Sequence, residues 1–485
     1  MKKFKVLGLT LAALALLVAG CGKKQATATK DSSGATIIKI AYKDDNSSNK
    51  VAKQYYTELA KELKKKEKIN VKFKVVDLPS EGYSDKLNLQ ISSGDIPDII
   101  YFQGGDTPFA QQGVLEDLRP YVKKSKYLKS EMTETNQKRL NNYPYLLWIK
   151  PLSASVPVVK KSVLAQVPDA DTLIQNPTVD NYKKLLTELV GKKDGKGNAA
   201  TYGITTAGTV DELDSIFDMA FGNTSTWVKQ DGKYVYKRTS DNEKKKIAFY
   251  RDLYKQGILD KSFLTKKWDT KESAFYDGKS GMILGTSGKV VDLYNDKVKQ
   301  LSNDTLVALP PAKGVAQGYG ATDLSKEDRG IAISSQSPNK KIAFKILDYL
   351  GSPEGQLLDR FGFKNYQYKL VNNKVELTDK AADWYARFWE PRKVTIPYKL
   401  EHSLMSGVAD NSMDKVDQYY TADNSFIMPE KYVTKWDAAE NVYKEYVADA
   451  ITGKKSLDDF DKFISDWNAA GGKLVTEYAN KHIKE

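Results

Sequence analysis

Apolar positions along the chain change period repeatedly, and each change marks an element. A short, mostly apolar run at 38–42 reads as a buried strand, and 50–68 then places Val51, Tyr55, Leu59 and Leu63 on one helical face. Ile69, Val71, Phe73 and Val75 alternate with polar residues as a second strand. Residues 87–91 belong to a helix stopped by Gly94, and 99–102 form a strand after Pro97. Strand, helix, strand, helix, strand with short connections predicts a parallel α/β sheet.

A second α/β region begins near Leu152. Thr178 caps a helix carrying Tyr182, Leu185, Leu186 and Leu189, and Ser240 with Glu243 has the spacing of a capping box. Asp231-Gly232 between Trp227-Val228 and Tyr234-Val235 predicts a hairpin. Residues 282–284 and 306–309 read as strands, Ser337-Pro338 and Ser352-Pro353 as helix starts, and the chain from Lys431 onward as helical. Trp436 and Trp467 fall in those helical patterns as core residues.

The N-terminus breaks this pattern. Lys2, Lys3 and Lys5 precede an apolar run of 7–18, and Leu17-Val-Ala-Gly-Cys21 follows. About a dozen apolar residues are too few to span a bilayer, so 1–20 reads as a removed secretory signal. Leu-Val-Ala-Gly-Cys resembles a bacterial lipobox, which makes Cys21 the lipidated first residue of the mature protein. Residues 21–36 are too polar to bury a core and read as a flexible tether. Cys21 is the sole cysteine, so packing rather than disulfides must hold the fold.

The chain of 485 residues carries a formal charge of +13, but its lysines are scattered over helices such as 61–68. An anchored extracytoplasmic protein with that distribution is not expected to bind nucleic acid. Two histidines, a committed thiol and no HExxH, P-loop or GxSxG pattern leave no common metal, nucleotide or hydrolase arrangement, and no cofactor is expected. A carboxylate pair for glycoside hydrolysis remains open among 62 acidic residues.

Three blocks resemble the extracellular solute-binding proteins of bacterial ABC importers, in the sugar-type branch that includes the LplA-like lipoproteins. The first is 86–101, with its Ser-Gly-Asp-Ile-Pro-Asp turn at 93–98, followed by Gly113-Val-Leu-Glu-Asp-Leu118. The second joins Ala220-Phe-Gly222, Trp227, Asp231-Gly-Lys233, 250–257 and 275–282. The third is Arg329-Gly-Ile-Ala-Ile-Ser334 with 343–358. In the turn, Gly94 supplies the left-handed helix end and Asp98 is read as bonding locally, so the motif is scaffolding. The chain departs from the family at Tyr145-Leu-Leu-Trp-Ile-Lys-Pro151 and at Phe363-Lys-Asn-Tyr-Gln-Tyr368, both near the expected cleft.

The resemblance implies a two-lobe periplasmic-binding-protein-like fold of discontinuous lobes joined by a hinge. Lobe one is expected from 37–150 plus about 309–362, and lobe two from 151–308 plus about 363–485 with the C-terminal helices. It implies a monomeric, lipid-anchored receptor that hands a carbohydrate, an oligosaccharide by preference, to membrane permease subunits. A receptor for another solute such as a peptide, and an anchored glycoside hydrolase, are the alternatives.

Ligands of open α/β sheets lie beyond the carboxyl ends of strands. That rule selects Asp44, Asp45 and Asn46 after the first strand, Gln103 and Asp106 after 99–102, and Ser287 after 282–284. Sugar rings stack on flat aromatic faces, which adds Trp148 at the lobe crossing, Trp268, Tyr319, Tyr366 and Trp389. Arg392, with Arg387, is a candidate clamp for a charged sugar.

Overall fold

The computed structural model describes residues 28–320, 326–381, 383–400 and 403–483. The signal segment, Cys21 and the first part of the tether lie outside the described residues.

Two four-stranded sheets organise the molecule. In the first, β1 (Thr36–Ala41) pairs in parallel with β2 (Val71–Val75) and β3 (Ile99–Gln103). The fourth strand, β10 (Arg329–Ile333), returns from far along the chain and pairs antiparallel to β3, giving the order β10-β3-β1-β2. The helix Lys50–Lys66 covers this sheet through Ala52, Tyr55, Tyr56, Leu59 and Leu63. Val51 is 47% exposed, because the buried stripe runs one residue away from the expected face.

Asp98 does more than close the turn at 93–98. Gly94 takes the expected left-handed φ of +88°, but Asp98 accepts the Lys39 N–H at 2.7 Å and bonds to Ser337 and Asn339. One buried carboxylate therefore ties β1 to the returning segment. Its partners lie across the sheet, not in the local turn. The helix after that segment starts at Lys340 with Asn339 as cap, two residues later than Ser337-Pro338 suggests.

The second sheet has the order β5-β8-β4-β9. β4 (Ser155–Lys160) runs antiparallel to both β8 (Ser280–Thr286) and β9 (Leu306–Ala308), while β5 (Tyr202–Ile204) is parallel to β8. β6 (Trp227–Gln230) and β7 (Lys233–Tyr236) form the hairpin, with Asp231 and Gly232 both at positive φ as a tight primed turn requires. Trp227 packs there, 2% exposed.

Each core draws on distant parts of the sequence. The first contains Ile38, Leu59 and Phe102 together with Ile331, Leu347, Phe363, Trp384 and Trp389. The second contains Ile204, Phe217 and Tyr250 together with Tyr443, Phe463, Trp467 and Val475 from the C-terminal helices. Leu309 and Ala312 pack with the second core, and Phe363, Trp384, Phe388 and Trp389 pack with the first, while Tyr368 and Val375 form a small cluster with Leu357 and Phe361 of the helix Pro353–Phe361. A small sheet of β11 (Tyr368–Val371), β12 (Lys374–Leu377) and β13 (Lys399–Leu400) projects beside that helix.

Among the described residues no helix is long and apolar enough to cross a membrane.

Candidate functional site

Asp359 explains why the segment after Trp384 is held where it is. This fully buried carboxylate accepts the Tyr55 hydroxyl at 2.8 Å and the backbone N–H groups of Arg387, Phe388 and Trp389. Trp384 Nε1 donates to the Asp359 carbonyl at 2.8 Å. Three N–H groups converging on one carboxylate fix the backbone and turn Tyr385, 52% exposed, and Glu390 outward.

They face a cavity of about 450 Å³. Ser287 and Lys289, just after β8, line it with Met413 and Asp414 of the helix Gly407–Tyr419 on one side, and Arg360, Tyr385, Glu390 and Arg392 line it on the other. Burial opposes the charge of Glu390, but Lys150, Arg360 and Lys289 outweigh it and hold the carboxyl below its ordinary range. Burial likewise lowers Lys289, whose ammonium lies 5.3 Å from the Tyr385 ring centroid. The wall continues through Lys150, which is 3.3 Å from Glu390 and 4.8 Å from the Trp148 ring centroid. Trp148 stacks on Tyr101 at 5.3 Å, and Tyr101 on Tyr42 at 4.6 Å.

Three polar atoms here are buried and have no hydrogen-bond partner among the described residues: Trp148 Nε1, Ser287 Oγ and Arg360 Nε. Leaving such groups unpaired costs roughly 1–3 kcal/mol each.

The structure places the sequence-selected residues in different roles. Ser287 and Arg392 line the cavity, although Arg392 is also paired with Asp414 at 2.6 Å and Asp417 at 3.4 Å. Trp148 stands behind its wall. Trp268, 45% exposed, opens the helix Trp268–Tyr276, and Glu272 of that helix acts electrostatically on Tyr385. The Lys271 ammonium lies 3.6 Å from the Trp268 ring centroid and pairs with Glu212.

Scaffold contacts occupy several others. Trp389 is 1% exposed and donates to the Leu347 carbonyl; Tyr319, equally buried, donates to Leu309. Asp45 accepts Tyr56 and pairs with Arg387, which lies over Tyr55 and Trp384 rather than clamping a ligand. Asn46 turns back to bond Ser48, Asp44 is an exposed left-handed turn residue, and Gln103 donates to the Tyr101 hydroxyl. Tyr366 is 57% exposed, beside Thr378 rather than in the cavity.

Asp106 stands apart. It is fully buried, neither oxygen has a well-formed hydrogen bond, and burial pushes the carboxyl up to about 6 against the pull of Tyr145 and Arg139. A pKa raised on folding means the native state holds the proton longer, so stability falls as pH rises from about 4 through about 6. Asp106→Asn is therefore expected to raise the melting temperature at pH 8, with the gain shrinking towards pH 4. Calorimetry at both pH values checks this, and an equal or absent gain would contradict it.

Lys289, Arg360, Tyr385 and Glu390 were not selected by strand-end or aromatic reasoning. Tyr385 sits in Trp384-Tyr-Ala-Arg-Phe-Trp389, and only the anchoring by Asp359 shows which ring faces outward.

Comparisons with known proteins agree with this architecture. Lipoprotein LipO of Bacillus subtilis is 22% identical over 96% of this chain and 96% of its own. The polygalacturonan/rhamnogalacturonan-binding protein YtcQ of the same organism is 22% identical over 100% of this chain and 99% of its own. Among solved structures, an extracellular solute-binding protein from Bifidobacterium longum subsp. infantis superposes with a TM-score of 0.68 at 15% identity, covering 94% of this chain and all of its own. A profile described as "Bacterial extracellular solute-binding protein" matches residues 46–357, well over half the chain. On that match the chain belongs to the bacterial extracellular solute-binding protein family.

Proposed function

We propose that this protein captures a saccharide, an oligosaccharide by preference, in the cavity beside Tyr385 and delivers it to the permease of an ABC importer. It breaks no bond in this reading and acts as a monomer anchored through a lipid on Cys21. The observation that carries the proposal is the exposed aromatic face of Tyr385 on a cavity also lined by the polar side chains of Lys289, Arg360 and Glu390. Apolar ring faces and ring hydroxyls are what such a surface matches. Two relatives support the class of ligand: YtcQ is named for polygalacturonan and rhamnogalacturonan, and FusA of Streptococcus pneumoniae as a fructooligosaccharide ABC transporter substrate-binding protein.

A thermal-shift panel of oligosaccharides and short peptides tests the proposal. A ligand at 100 times its Kd stabilises by about 2.7 kcal/mol, a shift of a few degrees. At least one oligosaccharide is expected to raise the melting temperature and to be recovered intact. A response to peptides alone, or recovery of a cleaved sugar, would overturn it.

A further inference from the structure

A cation-rich face on the first lobe has no part in the cavity. Between Lys50 and Lys68 the chain carries seven lysines against three glutamates, and Lys53, Lys61, Lys64 and Lys72 are all exposed. β2 is the free edge of its sheet. Between it and the helix Lys50–Lys66 runs an open groove of about 630 Å³, floored by Tyr56 and Phe73 and lined by those four lysines with no carboxylate. Lys61 pairs with Glu58 at 2.8 Å and Lys72 more distantly with Asp31 at 3.8 Å. Lys53 and Lys64 have no ion pair among the described residues. Lysines guard sheet edges against pairing, and solvated helix faces usually mix both signs of charge. Neither accounts for a whole groove free of carboxylates.

The start of the folded chain determines what this face meets. The Thr29 carbonyl accepts the Ile37 N–H at 2.9 Å, and the Thr36 N–H donates to the Asn70 carbonyl at 3.0 Å. The tether thus leaves at the start of β1, beside the start of β2 and the end of the lysine-rich helix. Only eight residue steps separate Thr29 from Cys21, a reach of about 28 Å when fully extended. If Cys21 carries the lipid, as the proposed function holds, the groove cannot wander far from the bilayer. Electrostatic attraction acts over about 8 Å at physiological salt, a distance this short tether lets the face sample repeatedly.

We propose that this lysine groove docks on anionic phospholipid headgroups and lays the first lobe on the membrane. Docking there fixes which face of the first lobe meets the bilayer. The tether alone would leave the orientation free. The groove supplies the second, reversible contact.

The test uses the full lipidated protein in vesicles. Cys21 is the only native cysteine, so Thr57→Cys in the groove and, separately, Lys462→Cys on the distant helix Phe460–Trp467 each give one labelling site. Energy transfer to a headgroup dye is compared in phosphatidylglycerol-containing and pure phosphatidylcholine vesicles. Transfer from position 57 is expected to rise about threefold with phosphatidylglycerol, and the rise to vanish at about 0.5 M salt. It should also vanish when Lys53, Lys61, Lys64 and Lys72 are changed to Glu, and position 462 should not respond. Equal transfer from position 57 in both vesicles, or a rise that survives charge reversal, would overturn docking while leaving the anchor intact. A protein that does not float with vesicles at high salt would overturn the anchor, and docking with it.

Discussion

Replacing Lys246 by methionine is expected to destabilise the second lobe by about 3–5 kcal/mol. The Lys246 ammonium is wholly buried, 2.7 Å from Asp214, 3.0 Å from Glu243 and in contact with Asp218. Lys237 alone would remain, 2.6 Å from Asp218. Three carboxylates out of water would share a single cation. The folded variant should then hold more protons than the unfolded chain, so the deficit should shrink as pH falls from 8 towards 5. Urea unfolding followed at both pH values checks the size and the sign, and a loss below about 1 kcal/mol would show that the cluster is not a keystone of this lobe. Tyr443 donates to Glu243 at 2.6 Å, so the damage should also loosen the long helix Glu430–Thr452.

Removing two exposed rings, Tyr385 in the cavity lining and Trp268 on the helix whose Glu272 acts on Tyr385, by changing both to Ala is expected to weaken saccharide binding about 100-fold. Each ring offers a face worth about 1–2 kcal/mol in a buried contact. The two stand on different lobes, which makes near-additive losses the expected result. Titration of the sugar identified by thermal shift measures the loss, with the unliganded melting temperature as a control for folding. Unchanged affinity in a folded double variant would place the ligand elsewhere.

Much of the fold is legible in the sequence because it rests on local signals. Period changes give the strands and helices of the first sheet, and Asp231-Gly232 gives the hairpin. What fails is whatever depends on a distant partner. Glu243 has the spacing of a capping box, and Ser240 does cap the helix by accepting the Glu243 N–H. The Glu243 side chain instead turns inward to Lys246, Asn223 and Tyr443. Asp98 looks like a turn residue and is a cross-sheet tie.

The site shows the same limit. Residue type marks Trp389 and Tyr385 as equally good stacking platforms, yet one is buried against Leu347 and the other faces the cavity. The choice is made by Asp359 gathering three backbone N–H groups from about 30 residues away, which no local pattern announces. Ser287 is legible because the rule concerning strand ends depends on topology, which the sequence does convey.

The interleaving of the two cores bears on how the protein comes into being. A chain that emerges from the membrane N-terminus first has β1, β2 and β3 early, but the first sheet waits for Arg329–Ile333 and its core for Trp389. The second lobe begins at Ser155, yet its core is capped by residues as late as Val475 and Ala479. The first lobe must wait for Trp389 and the second for nearly the whole chain, and contacts spanning hundreds of residues make closure slow. A chain cut before residue 430 would therefore carry a finished first lobe beside an open, sticky second one, and would be a better substrate for quality-control proteases than for any permease.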